Sequence, residues 1–306
     1  MQPISPDTHC AVASLAQNSP VYGTASFTTT WFLMEYSGLW AAKATDDNAL
    51  APAVNGWLKK LTQQTPDSRL QFIKQPTRPT VNGFVWYTAT GGALYRLEIK
   101  DYAALLTLDV AELTDPARQV DEQLILVCTN GKRDWCCGKF GAAAFRHLDT
   151  LIQEHPAPAR SERLWMTTHL GGHRFAATLV FLPQGLAYGL VQPDELAGLL
   201  AAQRQGELVL PRFRGRNHYP KPVQVAEYFL CQTTNTARQD SYTWLETQEV
   251  AANHWSVRFL GHDGAIHAVE LCAAAAPHPS LVSCSPAKWE TDLEFQFIQH
   301  QVSYTD

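Results

Sequence analysis

The sequence predicts an α/β (α+β) fold in which one β-α-β-β-β-α unit occurs twice in tandem, followed by a small α+β region. Three observations carry this expectation. Apolar runs of strand length alternate with segments of helical period. Matched elements recur at nearly constant offsets: Leu70 to Leu164 spans 94 positions, Leu94 to Leu186 spans 92, and Asp101 to Asp194 spans 93. The chain has 306 residues, 45% of them hydrophobic and 17% charged, which is long and apolar enough to bury two cores.

In the first copy, "TASFTTTWFLMEY" (24–36) is β-branched and aromatic and reads as a strand. Residues 48–64 place Leu50, Val54, Leu58 and Leu61 at helical spacing, and "LQFIKQ" (70–75) is a short strand. The run 83–100 is a hairpin turned at Gly91-Gly92, and Asp101 caps a short helix over 101–108. In the second copy, "EQLILVCT" (122–129) is a strand with a continuous apolar run. Residues 140–155 form a helix with Phe145, Leu148, Leu151 and Ile152 on one side, stopped by Pro156. "RLWMTTH" (163–169) is a strand, 175–191 is a strand pair turned at Pro-Gln-Gly, and 193–205 is a helix opened by Pro193 and Asp194. A strand, a long helix, a parallel strand, an antiparallel hairpin and a last helix are the order of a thioredoxin-like half.

This divides the chain into an N-terminal lobe (1–115), a second lobe (116–213) and a C-terminal α+β region (214–306). In that last region a loop and helix precede two alternating runs, "HWSVRFLGHDGAIHAVELCA", turned at His-Asp-Gly. The nearest approach to a basic run, "RFRGR" (212–216), is expected to be a solvated connector.

Charge narrows the function. A formal net charge of −5 and a pI near 6.1, with no basic run, argue against nucleic acid. No apolar stretch approaches the roughly 20 residues of a membrane span. The start "MQPISPDTHCAVASLAQ" lacks the features of a secretory signal, so a cytoplasmic protein is expected. Seven cysteines, unevenly spaced, fit metal or redox work better than disulfide staples. Cys10, Cys231, Cys272 and Cys284 stand singly, and the last three are expected to be small hydrophobes.

The chemistry-bearing stretches are "CTNGKRDWCCGKFG" (128–141) and "THLGGH" (168–173). Cys128 ends a buried strand, and Cys136 and Cys137 lie just before a helix, where the dipole favours thiolates. His169 and His173 bracket Gly171 and Gly172 at the end of the next parallel strand, which brings them beside Cys128. Thiolates and imidazoles together suit an iron–sulfur cluster or zinc, the latter making the chain a structural zinc-binding interaction protein. The adjacent Cys136 and Cys137 cannot both face one centre, so one of them is a spectator. A redox dithiol is an alternative, although it calls for C-x-x-C. Nucleophilic Cys–His catalysis is another, although it leaves one histidine surplus.

These two stretches, with "GTASFTTTWFLMEY" before them and "GRNHYPKPVQVAE" after, resemble the sucrase/ferredoxin-like family, whose members carry a thioredoxin-like 2Fe-2S ferredoxin domain. The resemblance implies that two cysteines nine positions apart and the two histidines of H-x-G-G-H hold the cluster: Cys128, Cys137, His169 and His173. It thereby selects Cys137 over Cys136. It implies an electron carrier rather than an enzyme, with a redox protein such as a flavin-dependent reductase as its partner. Mixed ligation raises the potential to roughly −150 to +300 mV, against about −400 mV for plant-type ferredoxins, and makes it pH-dependent. Arg133 and the backbone N–H groups of Gly171, Gly172 and His173 are the expected surrounding partners of the cluster, with pairing to a nearby carboxylate such as Asp134 an equal alternative for Arg133.

Overall fold

Strand-length runs of β-branched and aromatic residues build the framework. The computed structural model describes residues 9–76, 83–157, 161–284 and 286–304. Residues 1–8, part of the start read as lacking a secretory signal, lie outside the described residues.

A short helix, α1 (Cys10–Ala16), precedes the first unit of β1 (Thr30–Glu35), α2 (Pro52–Gln64), β2 (Ser68–Lys74), β3 (Phe84–Thr90) and β4 (Ala93–Ile99). The second unit repeats it: β5 (Glu122–Cys128), α3 (Ala142–Glu154), β6 (Ser161–Thr167), β7 (Leu179–Leu182), β8 (Leu186–Tyr188) and α4 (Leu196–Arg204). Next come β9 (Phe213–Arg216), α5 (Lys221–Thr233), β10 (Tyr242–Ala251), β11 (His254–Gly261), β12 (Ala265–Ala275), β13 (Ser280–Cys284), β14 (Ala287–Glu290) and β15 (Leu293–Tyr304).

Both units enter one nine-stranded sheet, in the order β4-β3-β1-β2-β6-β5-β7-β8-β9. In each half the first two strands are parallel and the hairpin is antiparallel, as expected of a thioredoxin-like half. The halves join through an antiparallel seam, Ile73 opposite Thr167 and Lys74 opposite Met166. Their strand order is therefore mirrored about the seam, and the carboxyl ends of β2 and β6 meet there.

Alternation along the strands sorts side chains to two faces. On one, α2 buries Val54, Leu58 and Leu61 against Phe32, Met34, Phe72 and Trp86. On the corresponding face of the second half, α3 and α4 cover Ile125, Val127, Leu164, Phe181 and Tyr188. The other side chains of β1 and β5 join a third cluster spanning both halves, in which Trp31, Leu33, Ile73 and Tyr87 pack with Leu126, Trp165, Cys128 and Cys137.

Four sequence expectations change. The strand read over 24–36 forms only at Thr30–Glu35, because the segment before it bonds elsewhere: the Thr24 N–H to the Arg214 carbonyl, the Thr28 N–H to that of Asn217 and the Thr29 N–H to that of Asp67. The helix over 101–108 is a 3-10 turn, Tyr102–Thr107, although Asp101 does cap it by accepting from the Ala104 N–H. "RFRGR" is no solvated connector: β9 is buried throughout and caps the outer edge beyond β8. Its Arg216 donates to Glu227 of α5 at 2.6 Å, with side chains 10% and 2% exposed, so a charge pair replaces the expected solvent. The C-terminal region carries more strand than expected, a four-stranded antiparallel sheet (β10-β11-β12-β15) against α5 and a separate β13-β14 hairpin. No helix among the described residues is long and apolar enough to cross a membrane.

Candidate metal centre

Cys128 is the last residue of β5 and is held in place by its N–H to the Thr178 carbonyl. The chain turns through 129–135 and enters α3 by way of a π-turn, Cys137–Gly141, a local widening common at functional sites. That turn lies directly against β5: a Cβ on Gly141 would stand 1.9 Å from the Cys128 carbonyl oxygen, so only glycine fits. His169 follows β6, whose register sets Thr167 beside Cys128.

The result is a convergence of Cys128, Cys137 and His169, whose ligand atoms all lie within 4.8 Å of one another. His169 Nδ1 is 3.9 Å from Cys128 Sγ and 3.8 Å from Cys137 Sγ. Both thiols are buried, 1% and 0% exposed. Hydrogen bonding from Cys137, then from His169 and the Leu170 N–H, holds Cys128 well below the usual thiol range. Cys137 is correspondingly pushed up, by its hydrogen bond to Cys128 and by burial.

His173 stands beside this set rather than within it. Its ring centroid is 5.2 Å from that of His169, and its Nε2 is 3.8 Å from an Asp134 carboxylate oxygen. Neither ring nitrogen makes a well-formed hydrogen bond among the described residues. Burial lowers its pKa and keeps the imidazole neutral, the state in which it can ligate.

The surroundings differ from expectation in two respects. The N–H directed at Cys128 belongs to Leu170, not to Gly171, Gly172 or His173. The two glycines instead take φ values of 92° and 70°, and a Cβ on them would meet Ser26 Oγ at 2.3 Å and Arg214 Nη2 at 2.5 Å. Arg133 is exposed, so it is not a close partner of the thiols, and Asp134 accepts from the Cys136 and Cys284 N–H groups.

Two arginines that sequence reasoning missed, Arg69 half-buried and Arg214 buried, brace the site. Arg69 of β2 donates to the Leu170 carbonyl at 3.0 Å and the His169 carbonyl at 2.5 Å, with Gln71 adding a bond to the latter at 3.2 Å. Arg214 of β9 donates to the Gly171 carbonyl at 3.0 Å and to Thr24 Oγ1 at 2.9 Å. Neither arginine pairs with a carboxylate among the described residues. Burial pushes Arg214 down to about 9, with Arg174 and Arg69 adding to the fall and Cys128 and Cys137 opposing it. The only sequence signal was polar residues alternating with apolar ones in "SRLQFIK".

A model of the Sucrase/ferredoxin-like family matches residues 21–215, which contain both halves of the sheet and the whole of this site. The chain belongs to the Sucrase/ferredoxin-like family. Two curated relatives carry the name altered inheritance of mitochondria protein 32. The one from Meyerozyma guilliermondii is 28% identical over 102 residues, covering 32% of this chain and 36% of that protein. The one from Debaryomyces hansenii is 20% identical over 161 residues, covering 50% and 58%. The chain thus spans between a third and three fifths of the length of these relatives. Among solved structures, a thioredoxin-like [2Fe-2S] ferredoxin from Aquifex aeolicus aligns at 18% identity with a TM-score of 0.29, over 33% of this chain and 97% of that one.

Gly172, His173 and Arg174 line a cleft of about 1010 Å³ between the second half of the sheet and the β13-β14 hairpin. His173 is the cleft-facing member of the histidine pair, and the thiols lie behind it.

Proposed function

We propose that this chain is a one-electron carrier holding a 2Fe-2S cluster on Cys128, Cys137, His169 and His173. The observation that supports this most is the convergence of two buried thiols on one face of His169, beside a second imidazole whose ring nitrogens lack well-formed bonds. The donor set suits the group: two thiolates and two neutral imidazoles are a mixed ligation known for 2Fe-2S centres. Bound there, the cluster would supply a one-electron couple, neutral when oxidised and singly negative when reduced.

The chain's own residues bias that couple. Arg69, half-buried, and Arg214, buried, have no carboxylate partner among the described residues; their charge favours the more negative state and so raises the potential. Trp31, Leu33, Trp165 and Leu170 keep water from the thiol side. His173, on the cleft, would hold the cluster on its accessible side, and loss of its imidazole proton on oxidation would make the potential fall as pH rises. We propose a redox protein, such as a flavin-dependent reductase, as the partner that docks at the cleft, and the cytoplasm as the working compartment. Thiol–disulfide exchange is disfavoured, because neither thiol is open to a protein substrate.

The test is metal and sulfide analysis of the purified chain with visible and EPR spectra. About two irons and two sulfides per chain, lost together in Cys128→Ser, are the expected result. A colourless protein holding zinc at Cys128 and Cys137 would sink the proposal.

A further inference from the structure

Cys136 turns its back on the centre just described. A helix rotates about 100° per residue, so adjacent side chains diverge. Cys137 points to His169, whereas Cys136 meets two cysteines from the extremes of the chain. Its Sγ lies 3.5 Å from Cys10 Sγ and 3.4 Å from Cys284 Sγ, and Cys10 and Cys284 are 3.1 Å apart. The sequence reading of Cys284 as an isolated hydrophobe therefore does not hold. Asp134 completes the group: the four ligand atoms lie within 4.8 Å of one another.

We propose that Cys10, Cys136, Cys284 and Asp134 form a second metal site, a closed structural site for zinc. Three thiols in mutual contact are not a packing solution for a hydrophobe, since each finds two sulfurs where carbon would serve. They are not a disulfide either, which needs sulfurs about 2.05 Å apart and would leave one thiol over. Tetrahedral zinc with Zn–S near 2.3 Å sets its sulfurs roughly 3.8 Å apart, so a slight expansion of the observed triangle admits the ion.

The surroundings fit thiolate ligands. The Cys10 N–H is 3.0 Å from Cys284 Sγ. Asp134 is 1% exposed, and its carboxylate is oriented by the Cys136 N–H at 2.8 Å on one oxygen and the Cys284 N–H at 3.1 Å on the other. Cys10, Cys136 and Asp134 are buried and Cys284 is half-buried, and four protein ligands leave a tetrahedral ion no open position for substrate.

Placement says what the ion would do. α1 has seven residues, too few for an isolated helix, and β13-β14 is a two-stranded sheet separate from the others, a form marginal on its own. Both pack near the turn at Phe175 on the second half of the sheet, and Cys10 and Cys284 are 274 positions apart in sequence. One ion on three thiolates and a carboxylate would fasten both ends of the chain to the turn that carries Cys137. This site shares no ligand with the Cys128–Cys137 centre and does not rest on that centre being an iron–sulfur cluster.

The test uses the full chain, with metals quantified and Co²⁺ substituted as the spectroscopic probe. Expected are about one zinc per chain beyond any iron, and thiolate-to-Co²⁺ charge transfer with tetrahedral d–d bands. Cys10→Ser and Cys284→Ser should each cut zinc retention tenfold or more while the spectrum of the Cys128 centre persists, which also shows that the variants fold. Cys128→Ser should keep the zinc. Zinc content unchanged in both Cys10→Ser and Cys284→Ser would overturn the proposal. So would a Cys10–Cys284 disulfide found by mass mapping of the wild-type chain purified without reductant.

Discussion

The two halves of the sheet carry the same strand order but opposite chemistry at their carboxyl ends. Where β5 ends in Cys128 and a thiol-bearing turn, β1 ends in Glu35 and Tyr36, followed by a loop that folds Trp40 back into the core. Tyr36 packs on Phe72 at 4.8 Å between ring centroids, Trp40 donates to the Tyr36 carbonyl at 3.3 Å, and Lys74 sits 4.1 Å from the Trp40 ring centroid. One end is filled by rings and the other holds ligands. Because the halves meet carboxyl end to carboxyl end, the filled end becomes part of the wall of the other: Asn130 donates to the Ala41 carbonyl at 3.0 Å. Duplication here yields one site and its support, not two sites.

Substitutions separate the two halves by the size of their effects. The largest effect is expected from His169→Cys, which brings the proposed centre towards all-thiolate ligation. Its potential should fall by a few hundred millivolts and the pH slope should shrink, as read by spectroelectrochemical titration. The edge strand that only the second half possesses comes next. Arg216→Met leaves Glu227 buried and unpaired and should cost about 3–5 kcal/mol in denaturant unfolding. Burial already holds Glu227 above the usual carboxylate range, with Arg216 offsetting part of the rise. A carboxyl raised on folding stabilises most below its unfolded pKa, and that contribution is lost as pH rises through the folded value. The Arg216→Met deficit should therefore be largest at neutral pH and shrink towards pH 4, and the slope should vanish in Arg216→Met, Glu227→Gln.

In the ring-filled half, Trp40→Ala should lower stability by about 3 kcal/mol and leave the visible spectrum of the metal centre unchanged. A spectral shift would mean that the filled end does more than pack. The smallest effect belongs to Arg69→Gln, which removes a half-buried charge but keeps donors towards the His169 loop. The potential should fall by some tens of millivolts with little change in iron content.

The doubled order of elements was legible because strand runs and helical spacing recur about every 93 residues, as Leu70 and Leu164 show. Cys128 and His169 were legible as neighbours because parallel strands align their ends, whereas Cys137 was singled out from Cys136 only by the family resemblance. The rest depends on contacts that local pattern does not encode. Arg214 and Arg216 read as a surface run until β9 pairs with β8. Arg69 looked like an ordinary strand charge, since its partners are carbonyls about a hundred positions away. Cys10, Cys136 and Cys284 lie too far apart for spacing to relate them, and adjacency made Cys136 look redundant.

The seam between β2 and β6 is only two residue pairs long, yet it settles how portable this centre is. Past the seam β2 continues as the scaffold of the H-x-G-G-H loop, supplying Arg69 and Gln71, while Arg214 reaches the same loop from just beyond residue 213. A fragment cut at 116–213 would keep every proposed ligand and lose every one of these supports. The centre is therefore not a module that could be moved to another chain by transplanting its ligands. What could be moved intact is the joined pair of halves, in which the half without a site supplies the scaffolding of the half that has one.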